Sequence, residues 1–179
     1  MKKQFLLFVI MLSFIFNQAQ TREGSAVTQL HSQENVQKTL YIYRPLINGY
    51  DLHNWALEQG LTILSEDILH VTLAYSRGGL ENWSEVIDAD PNYFCNSDPD
   101  HLRHLDFLGK EKSVLVLKLN APELVERWEE LTATGTKWDW PVFEPHVTLT
   151  YEAKEIDLKQ ITPYYGDLIF GPEVCVEVD

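Results

Sequence analysis

Cysteine is scarce: Cys95 and Cys175 are the only two in 179 residues. Two thiols cannot make a disulfide scaffold, and their spacing is not that of a zinc site. Basic residues are also few, 14 Lys and Arg against 27 Asp and Glu, for a formal charge of −13. A surface of that sign does not coat long nucleic acid or an anionic membrane through bulk charge. It still permits a small phosphate ligand, because a pocket can differ in sign from the whole surface. The chain has no P-loop, dinucleotide fingerprint, GxSxG or HExxH. What remains is an ordinary globular balance, 45% hydrophobic and 23% charged, which excludes a collagen, a coiled coil or a largely disordered chain.

The first twenty residues stand apart from the rest. Lys2 and Lys3 precede Phe5–Phe16, a run that is apolar except for Ser13, and Asn17-Gln18-Ala19-Gln20 then turns polar. That is the order of a secretory signal, and the run is short of the roughly 20 residues that cross a bilayer. Cleavage would take the formal charge from −13 to −15, since two lysines and no acid would leave. An uncleaved anchor is the alternative. Secretion, or export to a periplasm, is the localisation that follows, with no stable membrane association after cleavage; without a working leader the chain would stay cytoplasmic. Residues 21–38 are polar and read as a linker, so the folded domain is expected over 39–179. An oxidising compartment would allow a Cys95–Cys175 bridge, and two free thiols are the other reading.

The folded part carries one pattern twice. Leu40–Arg44 is aromatic and β-branched like a strand. Asp51 can cap a helix running to about Gln59, with Leu52, Trp55 and Ala56 on one face and Gly60 as its stop. Leu69–Tyr75 is a second strand. The order then recurs: Val114–Leu119 reads as a buried strand, and Asn120 can cap a helix with Pro122 in its first turn. Leu124, Val125, Trp128 and Leu131 form its apolar stripe. Gly135 ends it, and His146–Tyr151 is a strand. The two final strands read HVTLAY and HVTLTY, alike at five of six positions. An internal duplication explains this. The expected fold is α+β, two pseudo-symmetric lobes of antiparallel sheet plus helix around a central cleft, the second beginning near 105. Trp83–Asp88, Leu105–Leu108 and Leu168–Val178 are further strand candidates, and 88–104 reads as a long loop.

The repeated HVT is the chemical feature. Side chains alternate along a strand, so His70 and Thr72 share one face while Val71 and Leu73 point to a core. His146 and Thr148 do the same in the second copy. Two such pairs facing one cleft suit phosphoryl-ester chemistry. A neutral imidazole can accept the proton of an attacking hydroxyl or water, and a protonated one can donate to the leaving oxygen. Each threonine hydroxyl can hold a non-bridging oxygen. The scheme needs no metal or other cofactor. Two structural histidines in a duplicated fold are the bland reading.

At these residues the sequence resembles the 2H phosphoesterase superfamily, defined by two HxT/S motifs in a two-lobed, LigT-like fold. Further stretches are similar to the phage anti-CBASS cyclic-oligonucleotide phosphodiesterases: Tyr41 with Arg44-Pro45, Asn48-Gly49, His70–Ser76, Trp138-Asp139-Trp140-Pro141 before Pro145–Thr148, and Pro163-Tyr164 with Gly166, then Phe170-Gly171-Pro172-Glu173. The resemblance implies a metal-independent phosphodiesterase cleaving cyclic di- or trinucleotide signals, with His70, Thr72, His146 and Thr148 catalytic. Such phage proteins act in the cytoplasm, which a secretory leader does not fit. Within the superfamily, cleavage of 2′,3′-cyclic or 2′,5′-linked RNA ends is the alternative; outside it, a secreted nucleotide-sequestering module.

Four residues are candidates for substrate binding. Trp138 and Trp140 could stack on bases, with core packing the competing role for each. Tyr41 shares a strand face with Tyr43. Arg44 could meet phosphate, and aligning the first strands of the lobes sets it against Lys118. Tyr75 and Tyr151 are expected on the face away from His and Thr, in the core. Arg77 could approach the cleft mouth. His101 and His104 lie near Asp98 and Asp100, a grouping that reads as a solvated loop rather than a metal site.

Overall fold

The computed structural model describes residues 39–77, 93–95 and 103–178. The expected leader, the linker and the strand at Trp83–Asp88 lie outside the described residues. In chain order the elements are β1 (Thr39–Pro45), α1 (Gly49–Glu58), β2 (His70–Arg77), β3 (Tyr93–Cys95), β4 (Arg103–Leu108), β5 (Val114–Leu119), α2 (Pro122–Ala133), β6 (His146–Thr150), β7 (Leu168–Phe170) and β8 (Val174–Val178). Within the stretch expected as a loop over 88–104, β3 forms a strand, and β4 already starts at Arg103.

Six strands make one sheet in the order β4-β5-β6-β2-β1-β8, and β3 and β7 make a second. The β1–β2, β2–β6, β5–β6 and β4–β5 pairs are antiparallel. The two halves of the repeat are therefore joined edge to edge by their HVTL strands, and a continuous sheet runs through both lobes.

The core lies on one face of that sheet. Leu40, Ile42, Val71, Leu73, Val147 and Leu149 project there, with Leu52 and Ala56 of α1 and Leu124 and Leu131 of α2, each almost wholly buried. Each large aliphatic side chain buried this way contributes about 1.5–3 kcal/mol. Trp55, Val125 and Trp128 pack at the margins, half-buried.

Both helices start elsewhere than the capping residues predict. Asp51 sits in the first turn of α1, where a carboxylate favours the helix dipole. Asn48, just before α1, uses its side chain on another segment: Nδ2 donates to the Asp167 carbonyl at 2.8 Å and Oδ1 accepts from the Ile169 amide at 2.9 Å. In α2 the capping position belongs to Ala121, with no side-chain cap, and Pro122 opens the helix. Proline suits that place because its φ is preset and the N–H it lacks would be unpaired there. Gly60 (φ +72°) and Gly135 (φ +102°) follow the helix ends in the left-handed conformation, as expected.

One irregularity occurs twice. Along β1–β2 the register runs Ile42↔Ala74, then Tyr43↔Thr72, so Leu73 is an extra residue. Along β5–β6 it runs Leu115↔Thr150, then Val116↔Thr148, so Leu149 is extra. The fourth residue of each HVTL is thus a β-bulge. Leu73 and Ala74 are both buried, and so are Leu149 and Thr150.

Candidate active site

The site occupies the face of the sheet opposite the helices, at the seam between β2 and β6. Val71 pairs with Val147. Continuing that register by one residue each way sets His70 across from Thr148 and Thr72 across from His146. The two histidines are then diagonal neighbours on one face, a separation of about 7–8 Å between strand positions. His70, Thr72, His146 and Thr148, named from sequence, are all brought together here.

The side-chain bonding of the histidines repeats with the fold. His70 Nδ1 donates to the Ile68 carbonyl at 2.7 Å, and His146 Nδ1 donates to the Glu144 carbonyl at 2.7 Å, two residues back in each case. Each neutral ring is thereby held with its lone pair on Nε2. Burial holds both histidines below the usual imidazole pKa; the neighbouring His146 lowers His70 further, and Lys118 does the same for His146.

The bulges add residues that the alternation rule misplaces. Past Leu73 the β2 alternation slips by one, so Tyr75 pairs with Tyr41 on the His70 face. Their rings meet edge to face at 6.1 Å. Tyr151 reaches the same face past the second bulge and bonds to Thr148; burial pushes its phenol up to about 12. Tyr75 and Tyr151 therefore line the site and do not pack in the core as expected. The signal that finds them is the tyrosine closing both copies of the repeat.

Tyr41 lies at the centre of the first half. Its hydroxyl is 2.6 Å from His70 Nε2 and 2.7 Å from Thr72 Oγ1. Burial raises its pKa well above the ordinary phenol value. Tyr43 adds an edge-on contact to His70 at 5.2 Å.

Arg44 is not brought to this face. It pairs with Val71, so it points to the helix side, where its guanidinium bonds Glu173 at 3.3 Å and the Gly171 carbonyl at 3.3 Å. The register also corrects its alignment. Arg44 and Leu117 take equivalent places, opposite Val71 and Val147, while Lys118 is equivalent to Pro45, opposite His146 and His70. Lys118 thus lies on the site face beside His146, held by Asp106 at 2.7 Å and Glu144 at 3.0 Å.

The two tryptophans separate. Trp138 is built into an aromatic cluster with Trp128 of α2 and Phe143, at 6.3 and 5.4 Å. Trp140 leans on Trp138 at 4.9 Å and is 48% exposed. Their loop is fixed to the end of β2: Lys137 N donates to Ser76 Oγ at 3.0 Å, and Asp139 pairs with Arg77 at 3.2 Å. Arg77 in turn lies over the Tyr75 ring at 6.0 Å. This places the loop at the Tyr75 end of the site. His104 is exposed on β4, and His101, Asp98 and Asp100 lie outside the described residues. Cys175 is a free thiol whose pKa burial raises to about 11.

The antiparallel sheet with its two helices has the fold of the LigT-like phosphoesterases. Escherichia coli LigT, solved with 3′-AMP, superposes with a TM-score of 0.55 at 14% identity, over 79% of this chain and 88% of that one. The same protein solved with ATP gives 0.52 at 16% identity, over 79% and 87%. The family model for the anti-CBASS protein Acb1 matches residues 38–179, and the chain belongs to that family. Anti-CBASS protein Acb1 of a Caulobacter species is 39% identical over 79% of this chain, and that of Sphingomonas paeninsulae is 36% identical over the same share. The chain spans 23% of the length of each. The namesake of Vibrio phage KVP40 is 34% identical over half of this chain.

Proposed function

We propose that the chain is a phosphodiesterase that opens cyclic oligonucleotide signals, cyclic di- or trinucleotides, by a two-histidine mechanism that needs no metal. The observation that carries this reading is the pairing of His70–Thr72 with Thr148–His146 across the β2–β6 seam. One imidazole takes the proton of the attacking oxygen and the other protonates the leaving oxygen, while the threonine hydroxyls bond the non-bridging oxygens. Each proton-transfer group contributes about 10²–10⁴ in rate. The attacking group is water or a ribose 2′-hydroxyl. With the hydroxyl, a 2′,3′-cyclic phosphate forms first and water then opens it to the linear product. Trp140 offers a stacking surface for a base, about 1–3 kcal/mol. Family membership supports a role in blunting CBASS immunity.

The test is turnover of cyclic dinucleotides, 2′,3′-cyclic nucleotides and 2′,5′-oligoadenylate, with and without EDTA. We expect cleavage of the cyclic dinucleotides that survives EDTA and falls by about 10²–10⁴ in His70→Ala and in His146→Ala. Undiminished turnover in either variant overturns the paired-histidine mechanism. Loss in EDTA points to a metal, and tight binding without product to a sequestering module.

A further inference from the structure

Among the groups that distinguish the two halves of the site, the hydroxyl of Tyr41 is the one that meets both members of a His–Thr pair. His70 Nδ1 is engaged with the Ile68 carbonyl, so in the neutral ring Nε2 is an acceptor and the Tyr41 O–H is its donor. Thr72 then donates to the phenol oxygen, 2.7 Å away. One oxygen satisfies both members of the first pair. The register makes Val114 the equivalent of Tyr41 in the second half, one residue before Leu115 as Tyr41 is one before Ile42. Valine has no group to place on His146. Thr148 has a tyrosine partner, Tyr151, but that residue directly follows the motif strand and does not come from a neighbouring one.

An oxygen that exchanges a proton with His70 must come within about 2.6–3.2 Å of Nε2. The phenol oxygen already stands there, at 2.6 Å. Two oxygens cannot share that position. The Tyr41 ring packs beside Tyr43 at 5.4 Å and Tyr75 at 6.1 Å, which directs its hydroxyl to His70 when no other oxygen is there.

We infer that Tyr41 is a placeholder: its hydroxyl occupies the substrate-oxygen position of the His70–Thr72 half, which stays closed until a phosphate docked at His146–Thr148 displaces it. The inference rests on the reading of the site as a phosphodiesterase centre and adds an order of engagement to it. Tyr41 acts through His70 and is a positioning residue. The substrate meets the second half of the duplication first, and the phenol turns aside as the reacting oxygen arrives.

Diethyl pyrocarbonate tests this without turnover, because it acylates the lone-pair nitrogen of neutral imidazole. Modification of each histidine is followed by mass spectrometry at pH 7, where burial keeps both rings neutral. In the wild-type chain we expect His146 to react at least about fivefold faster than His70, the equilibrium worth of one net hydrogen bond. Tyr41→Phe keeps the ring and removes the oxygen. It should raise the His70 rate about fivefold and leave His146 unchanged. Inorganic phosphate should protect His146 at lower concentration than His70 in the wild type, and both alike in the variant.

An unchanged His70 rate in a Tyr41→Phe protein with wild-type circular dichroism overturns the inference. So does wild-type His70 reacting as fast as His146, or phosphate protecting both rings together or neither. If the variant does not fold, the two wild-type measurements decide. Because the readout needs no cleavage, a chain inert to cyclic oligonucleotides but with His70 shielded by Tyr41 refutes the functional reading alone.

Discussion

Glu173→Gln is the substitution with the largest expected effect on stability. The Glu173 side chain is fully buried, between Arg44 of β1, whose side chain is 6% exposed, and Arg127 of α2, at 18%. Arg127 grips the carboxylate with both arms, Nε to Oε1 at 2.8 Å and Nη2 to Oε2 at 2.9 Å. Glutamine keeps the volume but removes the charge and turns one acceptor into a donor facing the Arg127 fork. Removing one member of a buried ion pair costs about 3–5 kcal/mol. Arg127 is partly exposed and retains Glu130 at 2.8 Å, so the lower end applies, about 3 kcal/mol, or about 10 °C in Tm for a unit of this size. Arg44→Met should cost less, about 1 kcal/mol, because Glu173 keeps its two-armed partner. The assay is urea unfolding followed by tryptophan fluorescence, with the slope m required to stay constant. Equal costs, or the reverse order, refute the reasoning. The same Arg44→Met protein tests whether Arg44 holds phosphate: a side chain on the helix face should leave kcat/KM within about threefold, and a loss of 10²-fold would return Arg44 to the substrate.

Two further outcomes follow from the site and from one close approach. The reactive free enzyme has one histidine protonated and one neutral, a population that peaks midway between the two macroscopic pKa values. Both rings lie below the usual value, so kcat/KM should peak below about pH 6.5 and decline toward pH 8; a maximum at or above pH 7.5 refutes the desolvated pair. The same rings should make the fold less stable as pH falls below about 6.5, because the unfolded chain then binds protons that the buried rings resist, and His70→Gln should flatten that slope in urea titrations. Gly49→Ala should cost about 1–3 kcal/mol in urea unfolding, because its Cβ would stand 2.9 Å from the Glu66 backbone carbonyl; an unchanged midpoint would show that the Glu66 turn gives way freely.

The parts of this fold legible in the sequence are those with a period or a stop signal. The helices showed in Leu52, Trp55 and Ala56 and in Leu124, Trp128 and Leu131, and their ends in Gly60 and Gly135. The duplication showed in HVTLAY and HVTLTY, and with it the four residues that meet at the seam. The helix starts were less legible, because Asn48 spends its side chain on Asp167 and Ile169, far along the chain. Arg44 was misread for a related reason. An arginine on an apolar strand looks like a ligand for an anion until the anion proves to be Glu173, from the other end of the chain.

The bulges were invisible to strict alternation, and they change the chemistry more than any other departure. An extra residue at Leu73 and at Leu149 moves each terminal tyrosine from the core side to the His–Thr side. Because the bulge is itself duplicated, the slip preserves the twofold relation of the site while enriching it with phenols.

What breaks that relation is the pair of strands beside the motifs. The two HVTL copies are identical, yet β1 offers Tyr41 and Pro45 where β5 offers Val114 and Lys118. His70 therefore faces a phenol, and His146 faces an ammonium pinned between Asp106 and Glu144. Identical motifs in a symmetric setting could not divide acid from base, since either imidazole would serve equally. The neighbouring strands supply the inequality, and the repeat supplies only the pair on which it acts.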